Sequence, residues 1–204
     1  MVYPMTTPVR SARARPLPPD ERRALLVAAT IPLLITHGPQ VTTRQVAAAA
    51  GVAEGTIFRV FDDKDALIRE CIAVACDPAP MYAELAAIDI DLPLRERLTD
   101  IVTTLQLRLG EIIRLMTAVR MSQPPNADHR RHGRDRNDAI YTAVERLLAP
   151  DAARFRIPVH EVARLVRLLT FSGSHELIAD GRLLTPDQIV GLLLDGVCLA
   201  APTD

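Results

Sequence analysis

The chain has no long hydrophobic run. The longest, Ala24 to Ile35, is interrupted by Thr30 and Pro32 and falls short of the roughly 20 apolar residues that a spanning helix needs, so no membrane partner is expected. The N-terminus lacks the charged start and apolar stretch of a secretory signal, which points to a cytoplasmic protein. Cysteine is scarce: Cys71, Cys76 and Cys198 are the only three. Cys71 and Cys76 sit at a spacing that is neither C-x-x-C nor a zinc pattern, and they read as ordinary semi-buried thiols. An excess of one charge is also missing. The 204 residues carry 24 basic and 25 acidic side chains, which argues against a protein that is basic all over.

The signatures of catalysis are absent too. No G-x-S-x-G elbow, phosphate-binding loop or dinucleotide fingerprint occurs. His129 and His132, near Asp128, are three apart rather than the four of helical zinc pairs, and arginines crowd them; residues 126–136 read as a charged, solvated loop. Ser172 and Ser174 adjoin His175 and Glu176, but adjacent residues on a helix do not face one another as a nucleophile and its base must. Neither an enzyme nor a cofactor or metal is expected.

Against these absences stands Val41 to Leu67, VTTRQVAAAAGVAEGTIFRVFDDKDAL. Thr42 with Gln45 is a capping box that starts a helix at Thr43. Val46, Ala47 and Ala50 form its apolar side, and Gly51 can take the left-handed conformation that stops it. A second helix is expected from about Ala53 to Phe61, with Ile57 and Phe61 inward and Gly55, Thr56 and Arg59 outward. A third follows from a cap at Asp62 or Asp63. Small Ala47 and Ala50 let the first two cross closely. This is a helix-turn-helix, which lays one helix into the major groove of DNA. Charge agrees: as far as Arg59 there are seven arginines against three acids, on a chain whose net charge is −1. A basic N-terminal part on a slightly acidic body suits DNA contact at one end.

At these residues the chain resembles the TetR family of bacterial transcriptional regulators. The family pattern, approximately I-A-x-x-A-G-V-[SA]-x-G-T-[LI]-[YF]-x-x-F-x-x-K-x-x-L, is met by Val46, Ala47, Ala50, Gly51, Val52, Ala53, Gly55, Thr56, Ile57, Phe58, Phe61, Lys64 and Leu67. Upstream, Ala28, Leu33, Leu34, His37 and Gly38 look like the end of the family's first helix. Ala53 stands where serine is commoner and Phe58 where tyrosine is, so two hydroxyls that could reach phosphates are absent. The resemblance covers about residues 20–70. With the outward positions, it makes Thr43, Arg44, Ala53, Glu54, Gly55, Thr56, Phe58, Arg59 and Lys64 the expected DNA-contacting set.

The fold class expected is all-α: a disordered arm over 1–18, a three-helix DNA-binding domain over 19–66, and a helical effector-binding and dimerisation domain over 67–204. The first helix runs from about Pro19 to before Gly38, with a kink expected at Pro32. The helix of Lys64 reaches about Cys76. Leu94 to Val119 keeps helical spacing, with Gly110 as a possible divide, and Pro124-Pro125 ends the run. Further helices are expected over Asp135–Leu148, from Pro158 to about Ala179, and from Thr185-Pro186 onward.

The last two helices are apolar nearly all round, which implies burial on several sides. A second copy supplies that most simply, and in the resembled family the last two helices of each subunit form a four-helix dimer interface. Val162, Leu165, Leu169, Ser172, Gly173, Ile189, Leu193 and Val197 are the expected interface residues of a homodimer. The resemblance further implies a small apolar or amphipathic effector among the body helices, with Met116, Arg120, Met121, Tyr141, Phe171 and His175 as candidate lining. The function expected is a repressor released from a palindromic operator by that ligand, with the helix of Lys64 as lever. The competing reading is a helical interaction protein that has lost DNA binding.

Overall fold

The computed structural model describes residues 18–120 and 129–198, the side chains of 129–137 excepted. The expected N-terminal arm (Pro18 apart), Met121, Pro124-Pro125 and the side chains of His129 and His132 lie outside the described residues. Those described form eight α-helices and no strand: α1 Pro19–His37, α2 Thr43–Ala50, α3 Lys64–Ala75, α4 Ala79–Ala87, α5 Leu94–Ala118, α6 His129–Leu148, α7 Val159–Ser174 and α8 Pro186–Val197. None is long and apolar enough to cross a membrane.

Local chemistry accounts for most boundaries. Asp63 caps α3 by accepting the Ala66 amide at 2.6 Å. Thr185 and Gln188 form a complete capping box on α8, with Pro186 in its first turn. The helix α1 continues through Pro32 to His37.

Four expectations are corrected. The segment after Gly51 is a 3₁₀ helix, Glu54–Arg59, and not an α-helix. Ala53 has no side-chain oxygen to hold the first-turn amides, and Gly55 disfavours an α-helix by about 1 kcal/mol. The helix α5 runs unbroken past Gly110. The helix α6 begins at His129, inside the span expected to be a loop; its first turns carry no apolar stripe, so periodicity could not reveal them. Finally, α7 stops at Ser174 rather than near Ala179. The chain turns back there so that the Leu184 amide can donate to Gly173 O at 2.9 Å.

Two cores result. The body core gathers Leu94, Leu98, Ile101, Val102 and Leu105 of α5 with Val144, Leu147 and Leu148 of α6, Val162, Ala163 and Val166 of α7, and Ile189, Val190, Leu193 and Val197 of α8. Buried Arg97 locks one end of it, donating to Leu92 O at 2.7 Å, to Ile90 O and to Asp151. The head core joins Leu26, Val27 and Leu34 of α1, Val46 and Ala47 of α2, Ile57, Phe61, and Leu67, Cys71 and Ile72 of α3 to Leu115, Met116 and Val119 at the far end of α5. Within it the Cys71 thiol reaches Val27 O at 3.9 Å, and burial pushes its pKa up to about 12, so it stays protonated in the native protein at neutral pH.

A close contact seats the end of α1 on the tip of α5. Gly38, at the end of α1, has φ 58° and ψ −147°, and a Cβ there would lie 2.7 Å from Ala118 O at the end of α5. Gly38→Ala should therefore destabilise the chain by roughly 1–3 kcal/mol in urea unfolding. Gly110→Ala, in mid-helix with nothing within 4 Å of the added Cβ, should stabilise it by about 1 kcal/mol. A neutral Gly38→Ala would mean that this junction is looser than the structure has it.

Candidate nucleic-acid interface

The helix-turn-helix is held from three sides. The Thr42 amide donates to Gln45 Oε1 at 2.8 Å while the Gln45 amide donates to Thr42 Oγ1 at 3.2 Å, so α2 begins with both orphan donors satisfied. Gly51 takes the left-handed conformation, φ 66° and ψ 31°, and its amide donates to the Ala47 and Ala48 carbonyls. The Val52 amide then donates to Ala47 O at 3.0 Å. Buried Val46 and Ala47 meet Ile57 and Phe61 beneath, where no water competes.

The outward surface holds most of the residues expected to touch DNA. Arg44, Ala53, Glu54, Gly55, Phe58 and Arg59 are exposed, and Thr43 and Thr56 are half-buried. Thr43 Oγ1 donates to Glu54 Oε1, tying the start of α2 to the start of the 3₁₀ helix. Phe58 is 54% exposed, a large apolar face left in water. Arg44 and Arg59 have no side-chain partner among the described residues, so their guanidiniums are available to an outside anion.

Lys64 is placed differently. Its ammonium donates to Pro39 O at 2.9 Å and to Val41 O at 3.4 Å, closing the turn between α1 and α2 onto the start of α3. The family pattern puts it in the expected DNA-contacting set, and no periodicity could show that two carbonyls lie within reach. Arg23 is engaged as well: its guanidinium lies 4.6 Å from the Phe61 ring centroid and 3.6 Å from Glu70.

A second feature lies in the body, a cavity of about 660 Å³ walled by α1, the α3–α4 junction, α5, α6 and α7. Of the six residues expected to line a ligand site, Phe171 lines it. Met116 is buried in the head core. Arg120 is exposed, at φ 57° just beyond α5. Tyr141 is half-buried and its hydroxyl accepts from Arg167 Nε at 2.8 Å. His175 packs on Phe171, ring centroids 5.9 Å apart, with a buried Nδ1 that has no partner among the described residues. The wall includes Arg108, Arg114 and Arg167, none of them among the expected lining residues; helical spacing does not say which faces enclose a space.

The residues expected at a dimer interface divide sharply. Val162, Gly173, Ile189, Leu193 and Val197 are buried inside a single copy, so they are not available to a second. The small size of Gly173 serves Leu184 of the same chain, whose side chain would lie 3.0 Å from an added Cβ. Leu165, Leu169 and Ser172 are half-buried. The apolar side chains facing out on these two helices are Leu168, Phe171 and Leu192.

Residues 26–71 match the family model described as bacterial regulatory proteins, tetR family. Over nearly the whole chain the fold is shared with solved structures. A transcriptional regulator from Rhodococcus sp. Rha1 is 19% identical with a TM-score of 0.58, the match covering 88% of this chain and 99% of that one. A putative TetR-family transcriptional regulator from Mesorhizobium loti MAFF303099 is 15% identical with a TM-score of 0.61, covering 90% and 100%. NalD of Pseudomonas aeruginosa, the secondary repressor of the MexAB-OprM multidrug efflux pump, is 20% identical with a TM-score of 0.52, covering 88% and 98%. At these identities the likeness is one of fold: a helix-turn-helix head on a helical body.

The role of Lys64 can be tested without DNA. Lys64→Ala should lower the unfolding free energy by about 1–2 kcal/mol, because two carbonyls lose a charged donor. Arg44→Ala should stay within about 0.5 kcal/mol of the parent. Equal, negligible effects in urea unfolding would show that the Lys64 ammonium is free.

Proposed function

On the premise that residues 26–71 form the N-terminal unit of the tetR family of bacterial regulatory proteins, we propose that this chain is a sequence-specific DNA-binding transcriptional regulator. It acts as a repressor, released from a palindromic operator by a small molecule. The observation that carries the reading is the helix-turn-helix surface itself. Arg44 and Arg59, which have no side-chain partner among the described residues, are exposed together with Phe58 on a frame that Lys64 braces.

The division of labour follows from chemistry. Arg44 and the half-buried Thr56 hold the phosphate backbone, which positions the head without reading sequence, while Thr43, whose hydroxyl proton goes to Glu54, fixes the start of α2. Arg59 reads guanine through its two-pronged guanidinium. Phe58, lacking the hydroxyl that would reach a phosphate, meets a thymine methyl. Selection of bound duplexes from random DNA should return a palindrome. On the selected site, Arg59→Ala should cost about 1–3 kcal/mol and relax one position. Replacing the contacted dT by dU, which removes only the methyl, should weaken the parent about three- to fivefold and leave Phe58→Ala unchanged. No enrichment from random DNA would favour the interaction-protein reading instead.

Two copies are needed to read a palindrome, and the outward faces of α7 and α8 are the proposed contact. Leu165, Leu169 and Ser172 border it, and Leu168, Phe171 and Leu192 project from it. A two-fold pairing there would set two heads toward successive major grooves. Leu192→Glu, at a side chain 57% exposed in the single copy, should yield a folded monomer. Leu193→Glu, at a side chain 1% exposed, should unfold the chain by burying an unpaired charge. Sedimentation and thermal unfolding together separate these outcomes. A parent protein that is monomeric at micromolar concentration would sink the pairing.

A further inference from the structure

The cavity between α1, α3–α4, α5, α6 and α7 is, on the reading above, where an effector sits. Resting on that reading, we propose that its ligand is an amphipathic organic anion, a carboxylate on an apolar body, whose head group binds Arg167 and Arg114. The size suits such a molecule: about 660 Å³ lies within the range of drug-sized sites. Most of the wall is aliphatic, including Ile31, Ile35, Met81, Leu109 and Ile112, and would cover the body of the ligand.

The charges decide its head group. Five charged residues line the cavity: Arg108, Arg114, Arg167, Asp77 and Glu111. The two acids already have donors. Asp77 Oδ1 accepts the Ala79 amide at 3.0 Å, and Glu111 accepts from Arg108 at 3.2 Å. Arg108 is spoken for as well, since it also donates twice to Glu84, and those bonds hold its pKa up. Arg114 and Arg167 remain, and neither has a carboxylate within 4.0 Å among the described residues.

Arg167 is the more telling of the two because it is half-buried. Three other arginines withdrawn from water have an acid at hand: Arg23 has Glu70 at 3.6 Å, Arg97 has Asp151, and Arg108 has Glu84. Arg167 instead donates Nε to Tyr141 Oη at 2.8 Å and lies 5.3 Å from that ring's centroid. Those contacts orient the guanidinium plane and leave its two terminal amines unclaimed among the described residues, the fork that pairs with a carboxylate. A neutral occupant would strip water from this cation and return nothing. A cationic one would be repelled by it and by Arg114, and would have only Asp77, at the α3–α4 junction, as an acid without a basic partner among the described residues.

The test uses three ten-carbon probes that differ in the head: decanoate, decanol and decylammonium. Their affinities for the full chain are measured by calorimetry without DNA. Decanoate should bind at least about tenfold tighter than decanol, and decylammonium more weakly than either. In Arg167→Gln the advantage of decanoate over decanol should shrink to about threefold or less, with decanol binding retained; Arg114→Gln should lose a smaller part. Arg95→Gln, which removes an exposed arginine outside the cavity, should change nothing. Equal binding of decanoate and decanol, preference for decylammonium, or an advantage that survives Arg167→Gln would each overturn the proposal while leaving an effector site standing. Failure of all three probes to bind would remove the effector site and this proposal with it. The comparison of head groups on the parent protein needs no variant, so an Arg167→Gln chain that does not fold leaves it decisive.

Discussion

The structure depends on one helix being buried in two places. The first half of α5 is the middle of the body core, through Leu98, Ile101 and Val102, and its last turns complete the head core through Leu115, Met116 and Val119. An unbroken α-helix is stiff over this length, so neither core can shift relative to α5 without opening packed side chains. Gly38 tightens the coupling, because its backbone sits against Ala118 O at a distance no side chain would permit. The turn that leads from α1 into α2 thus rests on the tip of α5.

This changes where a signal would travel. Sequence reasoning made the helix of Lys64 the lever between head and body. The cavity touches α3 only at its end, through Val74 and Ala75, but it lies along α5 from Leu105 to Leu115. On the proposed reading, an occupant that prefers a shifted α5 would press on Gly38 and on the head core together. It could bias the DNA-incompetent arrangement only by binding it more tightly than the competent one. Both ends of such a lever are packed, and that favours a switch between two arrangements over graded bending.

Legibility in the sequence followed the range of the physics involved. Interactions within one turn were plain: the Thr42–Gln45 and Thr185–Gln188 boxes, Gly51 in the left-handed region, and Asp63 as a cap. The turn type after Gly51 has a local cause as well, since Ala53 lacks the serine hydroxyl that would hold the first-turn amides of an α-helix. Long-range placement was hidden. Val162, Ile189 and Leu193 look the same in sequence whether they face a neighbouring helix or a second copy, and they proved to be interior. The apolar side chains that project are fewer and lie one step along, as at Leu192 beside Leu193. A stripe of hydrophobicity gives the width of the buried face but not the partner that buries it.

Lys64 shows the same limit from the side of function. A motif preserves a residue type at a position, and two different pressures can require it there. At Lys64 the geometry answers to the fold: the ammonium takes the carbonyls of Pro39 and Val41, which the 3₁₀ turn at Gly38–Gln40 leaves exposed at its end. Arg44 and Arg59 are cations with no such employment. A charge that the fold has not neutralised is the better indicator of a binding surface, because the chain keeps it at the expense of self-repulsion. The same reasoning links the two ends of the molecule. Unpartnered arginines on the head suit the phosphates and guanines of DNA, and unpartnered Arg167 in the cavity suits a carboxylate. On the proposed readings both surfaces take anions, of different shape and in different surroundings, one exposed on the head and one lined mostly by aliphatic side chains.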